Sequence, residues 1–218
     1  MRKFLFIFFM IIFEVALIGA AAYLYLTNPT NLPFTIALAA LAVILFIVVV
    51  FKYNKTIRYQ NKIKESFSLV DIHLKLRFDL IPNLVSVVKK YAEHEKDVLA
   101  TTTKLRNLAV NATDDKTKLD YANKLVPQMK NIFAIAEGYP ELKADKLFKS
   151  LMEQLVEVED RIVSARRIYD SNVAEFNTYI EVFPNSIISK SFGFKREELF
   201  RIDAGENIAP LINLEAKW

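Results

Sequence analysis

The hydrophobic and polar positions of this chain follow two patterns. Residues 4–51 are almost wholly apolar, whereas from Tyr53 onwards apolar residues recur at steps of three and four. Unbroken apolar runs of about 20 residues are typical of membrane-spanning helices, and the stepped spacing is typical of helices that bury one face. Only 4 glycines occur in 218 residues, which argues against a fold rich in turns and strands. The pattern predicts an all-α protein with a membrane part and a helical body.

Two apolar runs make up the membrane part. The first covers about residues 4–26 and the second residues 34–51, and the polar residues 27–33 between them include two prolines. A bilayer core of about 30 Å is crossed by about 20 helical residues, so each run is long enough. We predict a hairpin of two transmembrane helices in a membrane domain of residues 1–52.

Basic residues orient this hairpin. Arg2 and Lys3 precede the first run, the connecting turn has no basic residue, and five follow the second run: Lys52, Lys55, Arg58, Lys62 and Lys64. Positive charge collects on the cytoplasmic side, so both ends are predicted to be cytoplasmic. Alternatively, residues 1–22 are a signal peptide with a cleavage region at 19–22. Both alternatives place the large C-terminal part inside.

Glu14 is the one acidic or basic residue inside the first run. Such residues are costly in a bilayer and often functional. In one hypothesis Glu14 is part of a proton or ion pathway. In the other its protonated carboxyl group makes a hydrogen bond to a neighbouring helix or to another subunit. A single carboxylate in two helices cannot line a path alone, so we favour the second hypothesis.

Four amphipathic helices with short connections are predicted after the membrane part. They cover about residues 53–78, 82–109, 116–136 and 142–181. This pattern favours an up-and-down antiparallel four-helix bundle in residues 53–182, followed by an irregular tail, residues 183–218. Short helical pieces are expected in that tail at 186–190 and 197–200. The predicted core positions are Ile63, Phe67, Val70, Leu74, Phe78, Leu84, Val88, Tyr91, Val98, Leu99, Leu119, Ala122, Leu125, Val126, Met129, Ile132, Phe133, Leu147, Leu151, Leu155, Val158, Ile162, Ala165, Ile168 or Tyr169, Val173 and Phe176.

Prolines set two of the expected helix boundaries. Pro82 removes one backbone hydrogen bond and crowds the carbonyl of Phe78, unless it stands in the first turn of a helix. We therefore expect a helix break there and a new helix with Asp79 as its N-cap. The alternative is one long bent helix, which leaves three long helices in the bundle. Pro127 predicts a kink or a broken turn in the third helix.

Several motifs resemble those of the LemA family of bacterial membrane-anchored helical proteins. They are Asp79-Leu-Ile-Pro-Asn-Leu-Val85, Val88-Lys89, Tyr91-x-x-His94-Glu95, Glu159-x-Arg161-Ile162, Ala165-Arg166-Arg167-x-Tyr169, Phe176-Asn177, Phe183-Pro184-Asn185 and Phe192-Gly193-Phe194. The resemblance covers about residues 53–200. It implies a bacterial inner-membrane protein that serves envelope maintenance or membrane proteolysis. The single N-terminal span usual in that family is here predicted to be two.

The resembling motifs supply most of the candidate site residues. The polar candidates are Arg77, Asp79, Asn83, Lys89, His94, Glu95, Arg166 and Asn177, with Pro82 as a helix break and Glu14 as the intramembrane candidate. They either form interhelical ion pairs and hydrogen bonds, each worth about 0–1 kcal/mol when exposed, or make a polar patch that binds a partner. We favour the structural role.

The residues present argue against catalysis. No cysteine occurs, which excludes disulfides, thiolate metal sites and a cysteine nucleophile. The two histidines, His73 and His94, form no zinc motif, and the neighbours Glu93 and Glu95 point away from His94 on a helix, so the three cannot share one ion. A net charge of +4 without a basic, aromatic cluster does not favour nucleic acid. We expect no enzyme activity, no metal and no cofactor.

The leading functional hypothesis is therefore a membrane-anchored cytoplasmic helical scaffold. Its expected partners are the lipid bilayer, further copies of itself in a homo-oligomer, and a membrane protease or other envelope protein. An alternative is an oligomeric transport or channel component that uses Glu14. A third hypothesis is a metal-dependent membrane enzyme built around His94 and nearby acidic residues.

Overall fold

All secondary structure in the described part of the chain is helical. The computed structural model describes residues 12, 14–20, 22, 23, 26 and 32–200. These residues contain no strand, which confirms the predicted all-α class for them. Residues 14–20 of the first predicted span are helical. The rest of that span lies largely outside the described residues, as do most of the predicted turn and the chain after residue 200.

Six helices follow in the continuously described stretch. They are α1 (Leu32–Tyr91), α2 (Lys96–Val110), α3 (Asp115–Gly138), α4 (Pro140–Ala144), α5 (Lys146–Glu181) and α6 (Asn185–Phe192). The helices divide between two compact units. The first unit takes the described residues up to Glu65 together with Tyr169–Leu199, and the second takes Ser66–Ile168 with Phe200. Both α1 and α5 contribute residues to each unit.

The second unit has a mainly aliphatic core supplied by α1, α2, α3, α4 and α5. Its buried residues are Val70, Leu74, Phe78, Ile81, Leu84, Val87, Val88, Ala92, Leu99, Ala109, Ala122, Leu125, Met129, Ile132, Ala136, Leu142, Phe148, Leu151, Leu155, Val158, Ile162 and Ala165. Most positions of the predicted stripes are among them. Leu147 is exposed, so its assignment to the core was wrong. On α5 the buried stripe begins instead at Phe148. Of the two alternatives predicted further along α5, Ile168 is exposed, whereas Tyr169 is partly buried against the core of the first unit.

Polar contacts give the directions of two helices of the second unit relative to α1. Arg77 of α1 contacts Glu159 of α5, and Tyr91 contacts Asp145, just before α5. Residue numbers therefore rise along α1 while they fall along α5, so these segments are antiparallel. The Lys118 ammonium on α3 pairs with Asp71 on α1. Four residues further along α3, the Ala122 carbonyl accepts from Arg77, which lies six residues further along α1. Segments α1 and α3 therefore run in the same direction.

Helix α1 passes through Pro82 without ending, so the predicted break at this proline was wrong and the alternative of one continuous helix was right at this position. Because α2 is a separate helix that begins at Lys96, four long helices remain in place of the three expected with that alternative. Pro82 has no N–H group to donate to the carbonyl of Phe78. Arg106 of α2 takes its place, because its Nε atom donates to that carbonyl at 3.0 Å. Asp79 is consequently not an N-cap, and the chain turns only after Tyr91.

Other boundaries lie close to their predicted places. Asp114 caps α3, since its Oδ1 atom accepts from the backbone N–H of Thr117 at 2.8 Å. Pro127 lies inside α3 and does not break it, which excludes the predicted broken turn. Helix α6 confirms the short helix expected at 186–190, whereas residues 197–200 are not helical, so the second expected piece was wrong.

The first unit has an aromatic core. Its buried residues are Ile63, Val173, Phe176, Tyr179, Ile180, Phe192 and Phe194. The ring centroid of Tyr53 lies 4.7 Å from that of Phe192 and 5.9 Å from that of Phe194. Gly193 ends α6 with φ of 73°, a left-handed conformation that glycine adopts without strain. This turn brings Phe194 back onto the core of the unit.

An apolar helical segment begins the first unit. In residues 34–51 of α1, most side chains are apolar and exposed. A helix that is apolar on all sides and unburied is typical of a membrane span. Among the described residues, α1 is the one helix that is long and apolar enough to cross a membrane. By length and composition this segment indicates a membrane anchor.

Candidate functional site

A buried arginine is the central polar residue of the second unit. The Arg77 side chain has no solvent exposure, and its Nη1 atom donates to Glu159 Oε1 at 2.8 Å. Its Nη2 atom donates to the Ala122 carbonyl, also at 2.8 Å. A charge removed from water needs such partners, because an unpaired one is strongly unfavourable. One guanidinium therefore links α1, α3 and α5.

The burial of Arg77 follows from its position on α1. The buried stripe of this helix runs through Leu74, Phe78 and Ile81, and residue 77 lies on the same face because side chains three and four apart are neighbours. The opposing carboxylate, Glu159, is 14% exposed and lies beside the buried Val158 on α5. The sequence motif contains Glu159, yet our candidate residues did not include it.

The other candidate residues of the α1 region do not join Arg77. Asp79, Asn83, Lys89 and His94 are exposed, and the Asp79 carboxylate lies 3.9 Å from Arg106 Nη2. Glu95 is half-buried at the N-cap of α2 and makes no capping hydrogen bond with its side chain. The polar residues of the motif are therefore spread over the surface of the second unit instead of converging on one centre.

An open groove lies between the end of α1 and α2. Its volume is about 740 Å³, and it is lined by Val85, Lys89, Glu93, Lys96, Leu99, Ala100, Thr103, Lys104, Asn107, Leu108 and Asn111. Three of these residues are lysines and one is a glutamate, so the lining is basic. Apolar side chains lie between the charges. Such a surface suits a protein segment with one apolar face and acidic residues.

A tyrosine–aspartate pair connects the end of α1 to the start of α5. The hydroxyl of Tyr91 donates to Asp145 Oδ2 at 2.8 Å, and the backbone N–H of Phe148 donates to Asp145 Oδ1 at 2.9 Å. These two bonds, the backbone one first, hold the pKa of Asp145 below its usual value. The bond to Asp145 also raises the pKa of Tyr91, with a smaller effect of burial. No motif or periodicity in the sequence pointed to this pair.

Two further candidates hold neighbouring segments together within their units. In the second unit, Arg166 Nη2 donates to Asn123 Oδ1 at 2.8 Å, and its guanidinium carbon lies 5.5 Å from the ring centroid of Phe200. In the first unit, Asn177 Nδ2 donates to the Glu197 carbonyl at 2.9 Å. The N–H of Glu197 donates back to Asn177 Oδ1 at 3.0 Å. The Asn177 amide thus holds the segment that follows α6.

Lysines and tyrosines surround the end of the apolar segment in the first unit. Lys55 Nζ lies 5.8 Å from the ring centroid of Tyr59 and 5.3 Å from that of Tyr179, and Lys52 Nζ lies 5.9 Å from the latter. Burial raises the pKa of both tyrosines, and a hydrogen bond to Glu175 adds to the effect at Tyr59. A basic cavity of about 450 Å³ opens there.

The remaining candidates are not part of a shared site. Glu14 is half-buried within the helical residues 14–20. Within the part of the chain that the structure describes, no group of three or more histidine, cysteine, aspartate or glutamate residues could hold a metal ion. His94 therefore has no described ligand set of this kind around it. His73 borders a separate cavity of about 290 Å³ that also contains Arg161.

Comparisons with known proteins point to one family. The model of the LemA family matches residues 66–213. The chain is 24% identical over 192 residues to magnetosome protein MamQ of Magnetospirillum gryphiswaldense, covering 76% of this chain and 71% of the relative. It is 25% identical over 167 residues to protein LemA of Metamycoplasma hominis, covering 73% and 76%. Magnetosome protein MamQ 2 of Paramagnetospirillum magneticum is 24% identical over 191 residues, covering 75% and 70%.

Proposed function

Since the chain belongs to the LemA family, we propose that it is a multi-pass membrane protein whose cytoplasmic part is a non-enzymatic scaffold. The proposed division is a membrane hairpin in residues 1–52, an up-and-down four-helix bundle in residues 53–182 and a tail in residues 183–218. The bundle binds further copies of the chain or another envelope protein, such as a membrane protease. The carrying observation is that Arg77, the most deeply buried candidate, bonds only to groups of neighbouring helices.

The distribution of polar residues supports a scaffold more than an enzyme. Catalysis needs an acid, a base or a nucleophile within hydrogen-bond reach of a common point. Here the described candidates either hold neighbouring segments together, as Arg77 and Asn177 do, or stand apart on the surface, as Asn83 and His94 do. A residue set of this kind fixes the register of helices and leaves a stable surface for binding.

The exposed apolar segment and the residues after it support the anchoring. Residues 34–51 expose apolar side chains on most sides, and lysines and an arginine follow directly: Lys52, Lys55, Arg58, Lys62 and Lys64. Positive charge at this end favours the cytoplasmic side of the membrane. The helical body that follows then lies in the cytoplasm.

Site-specific photocrosslinking in native membranes tests the scaffold. A photoreactive residue replaces Ala100, which is exposed in the groove, and in a matched variant it replaces Ala134, exposed on α3 outside the groove. We expect Ala100 to yield a discrete adduct, identified by mass spectrometry as a second copy of the chain or as one foreign envelope protein. Equal adduct patterns at the two positions would contradict the scaffold role of this groove.

A charge-neutral substitution separates the scaffold from a transport component. Glu14→Gln removes the only carboxylate of the first apolar run while it keeps the size of the side chain. We expect unchanged helicity by circular dichroism and an unchanged Ala100 adduct. Proton or cation flux by wild-type protein in reconstituted vesicles, abolished by Glu14→Gln, would instead establish the transport function.

A further inference from the structure

Three exposed apolar side chains lie at the corner between α5 and α6. Val182 is 46% exposed, Phe183 80% and Ile187 59%. We infer that this corner, residues 182–187, is a second membrane contact and inserts these side chains into the interface of the bilayer that α1 crosses. The inference rests on the proposed anchoring of residues 34–51. The occupant of this surface is the lipid bilayer.

Contacts within the first unit place the corner beside the end of the apolar segment. The hydroxyl of Tyr179 donates to the carbonyl of Lys52 at 3.4 Å, directly after residues 34–51. Val49, which lies inside that segment, packs against the same aromatic core as Ile180 and Phe192. The end of α5 and helix α6 are therefore packed where α1 changes from apolar to basic.

Helix α5 runs towards the apolar segment of α1, so the corner lies on the apolar side of Lys52. Glu175 accepts a hydrogen bond from Tyr59, and one helical turn later Tyr179 reaches Lys52. Residue numbers therefore fall along α1 as they rise along α5. Val182 and Phe183 follow Tyr179, so they lie further towards the apolar segment than the Lys52 contact.

The surroundings have the chemistry of a membrane interface. Tyrosine rings combine an apolar body with a polar tip and are enriched at this level of a bilayer, and Tyr59 and Tyr179 both contact lysines here. Lysines next to a span attract anionic headgroups. Glu181, which directly precedes Val182 in the chain, is paired with Arg196, whose Nε lies 3.2 Å from Glu181 Oε1. The corner thus presents apolar side chains flanked by positive charge.

The corner is also held in shape before any contact with lipid. The side chain of Asn185 is buried, and its Nδ2 atom donates to the Tyr179 carbonyl at 3.1 Å. The backbone N–H of Ser186 donates to the Val182 carbonyl at 2.9 Å. An apolar surface that is ordered in advance loses little conformational entropy when it is buried.

Depth-dependent quenching in vesicles tests this contact. The chain has no cysteine, so single cysteines can carry an environment-sensitive NBD fluorophore in the full-length protein. Phe183→Cys and Ile187→Cys report on the corner. Phe51→Cys marks the end of the apolar segment, and Asn61→Cys, about 15 Å further along α1, is the control outside it. The protein is reconstituted into phosphatidylcholine–phosphatidylglycerol vesicles that contain lipids with a nitroxide near the headgroup.

We expect blue-shifted emission and strong quenching at positions 51, 183 and 187, with little of either at position 61. If the labels at positions 183 and 187 behave like the label at position 61 while the label at position 51 is quenched, the corner does not contact the membrane, and the anchoring of α1 still holds. A blue shift without quenching at 183 and 187 means that protein covers the corner, which also overturns the corner contact. An unquenched label at 51 would contradict the proposed anchoring and, with it, this inference.

Discussion

The two units of this chain bury different kinds of side chain. The second unit buries mainly aliphatic residues and one arginine, Arg77, which is bonded to two neighbouring helices. The first unit buries aromatic rings and the amide of Asn177, and its apolar segment is exposed. The same helices, α1 and α5, contribute to both cores. The difference between the two cores therefore lies in which residues these helices bury in each unit, since the same two helices take part in both.

The two cores are suited to different surroundings. A guanidinium held by fixed partners sets the register of the helices it bonds, since any slip of a helix leaves a buried charge unpaired. Aromatic side chains, and tyrosine above all, pack well where an apolar surface meets a polar one. The arginine suits a unit that keeps one shape, and the rings suit the membrane boundary that we propose for the first unit.

The largest expected effect comes from truncating the aromatic core. Phe176→Ala in the first unit should lower the free energy of unfolding by about 3–5 kcal/mol, because it removes a fully buried ring and leaves a cavity. Leu155→Ala is the matched change in the second unit and should cost about 2–5 kcal/mol. Hydrogen exchange should accelerate mainly in the unit that carries the change. Equal acceleration in both units by Phe176→Ala would erase the distinction between them.

The buried arginine gives the next effect. Arg77→Met should lower the free energy of unfolding by about 3 kcal/mol, because Glu159 keeps its charge without its partner. The control is Arg161→Met, which breaks an exposed pair with Glu157 on one helix and should cost about 0.5 kcal/mol or less. Urea titration of the solubilised protein measures both. The double variant Arg77→Met/Glu159→Met should recover most of the loss, and equal losses for Arg77→Met and Arg161→Met would refute the role of burial.

The amide clamp of the first unit should contribute less. Asn177→Ala removes both hydrogen bonds to the backbone of Glu197 and should cost about 1–3 kcal/mol. In wild type the Glu197 N–H group donates to Asn177 Oδ1, so hydrogen exchange of the Glu197 amide should become faster in the variant. Thr178→Ala, at the exposed neighbouring position, is the control and should leave that amide protected. An unchanged Glu197 amide in Asn177→Ala would exclude the clamp.

The smallest expected effect is a pH dependence of the second unit. Backbone and tyrosine hydrogen bonds lower the pKa of Asp145 from 3.8, so its contribution is complete above the unfolded pKa and is lost as the pH falls through the lower folded value. The raised pKa of Tyr91 has the opposite consequence, and its contribution is lost as the pH rises through a value above 10.0. Urea midpoints measured down to strongly acidic pH should depend on pH less steeply in Asp145→Asn than in wild type. Identical slopes would contradict this role.

The periodic part of the fold could be predicted from sequence, and the Pro82 region shows where prediction failed. Stripes such as Leu151, Leu155 and Val158 are buried as expected, since their spacing depends only on the helical repeat. Pro82 was expected to break the helix because local rules count its missing hydrogen bond. Arg106, which donates to the freed carbonyl of Phe78, lies 28 positions further along the chain, so no local sequence pattern predicts this bond.

The candidate site was predictable in its residues but not in its partners. The polar candidates included Arg77 and Asn177, and both are buried and bonded. Their partners include the backbone of Ala122 and of Glu197, and any residue type offers a backbone carbonyl. Asp145 was missed for a different reason. Its role depends on where the chain turns between α4 and α5, and α4 has no apolar period long enough to predict.

The bond between Arg106 and the Phe78 carbonyl makes two distant positions interdependent. With proline at position 82, that arginine keeps a main-chain oxygen from being stranded. Pro82→Ala would restore a backbone amide that can donate to the Phe78 carbonyl, so Arg106 would no longer be needed there. Loss of Arg106 should therefore destabilise the chain that has Pro82 more than the Pro82→Ala variant. Natural variants of this chain should therefore exchange these two residues together or in a fixed order, proline first to go.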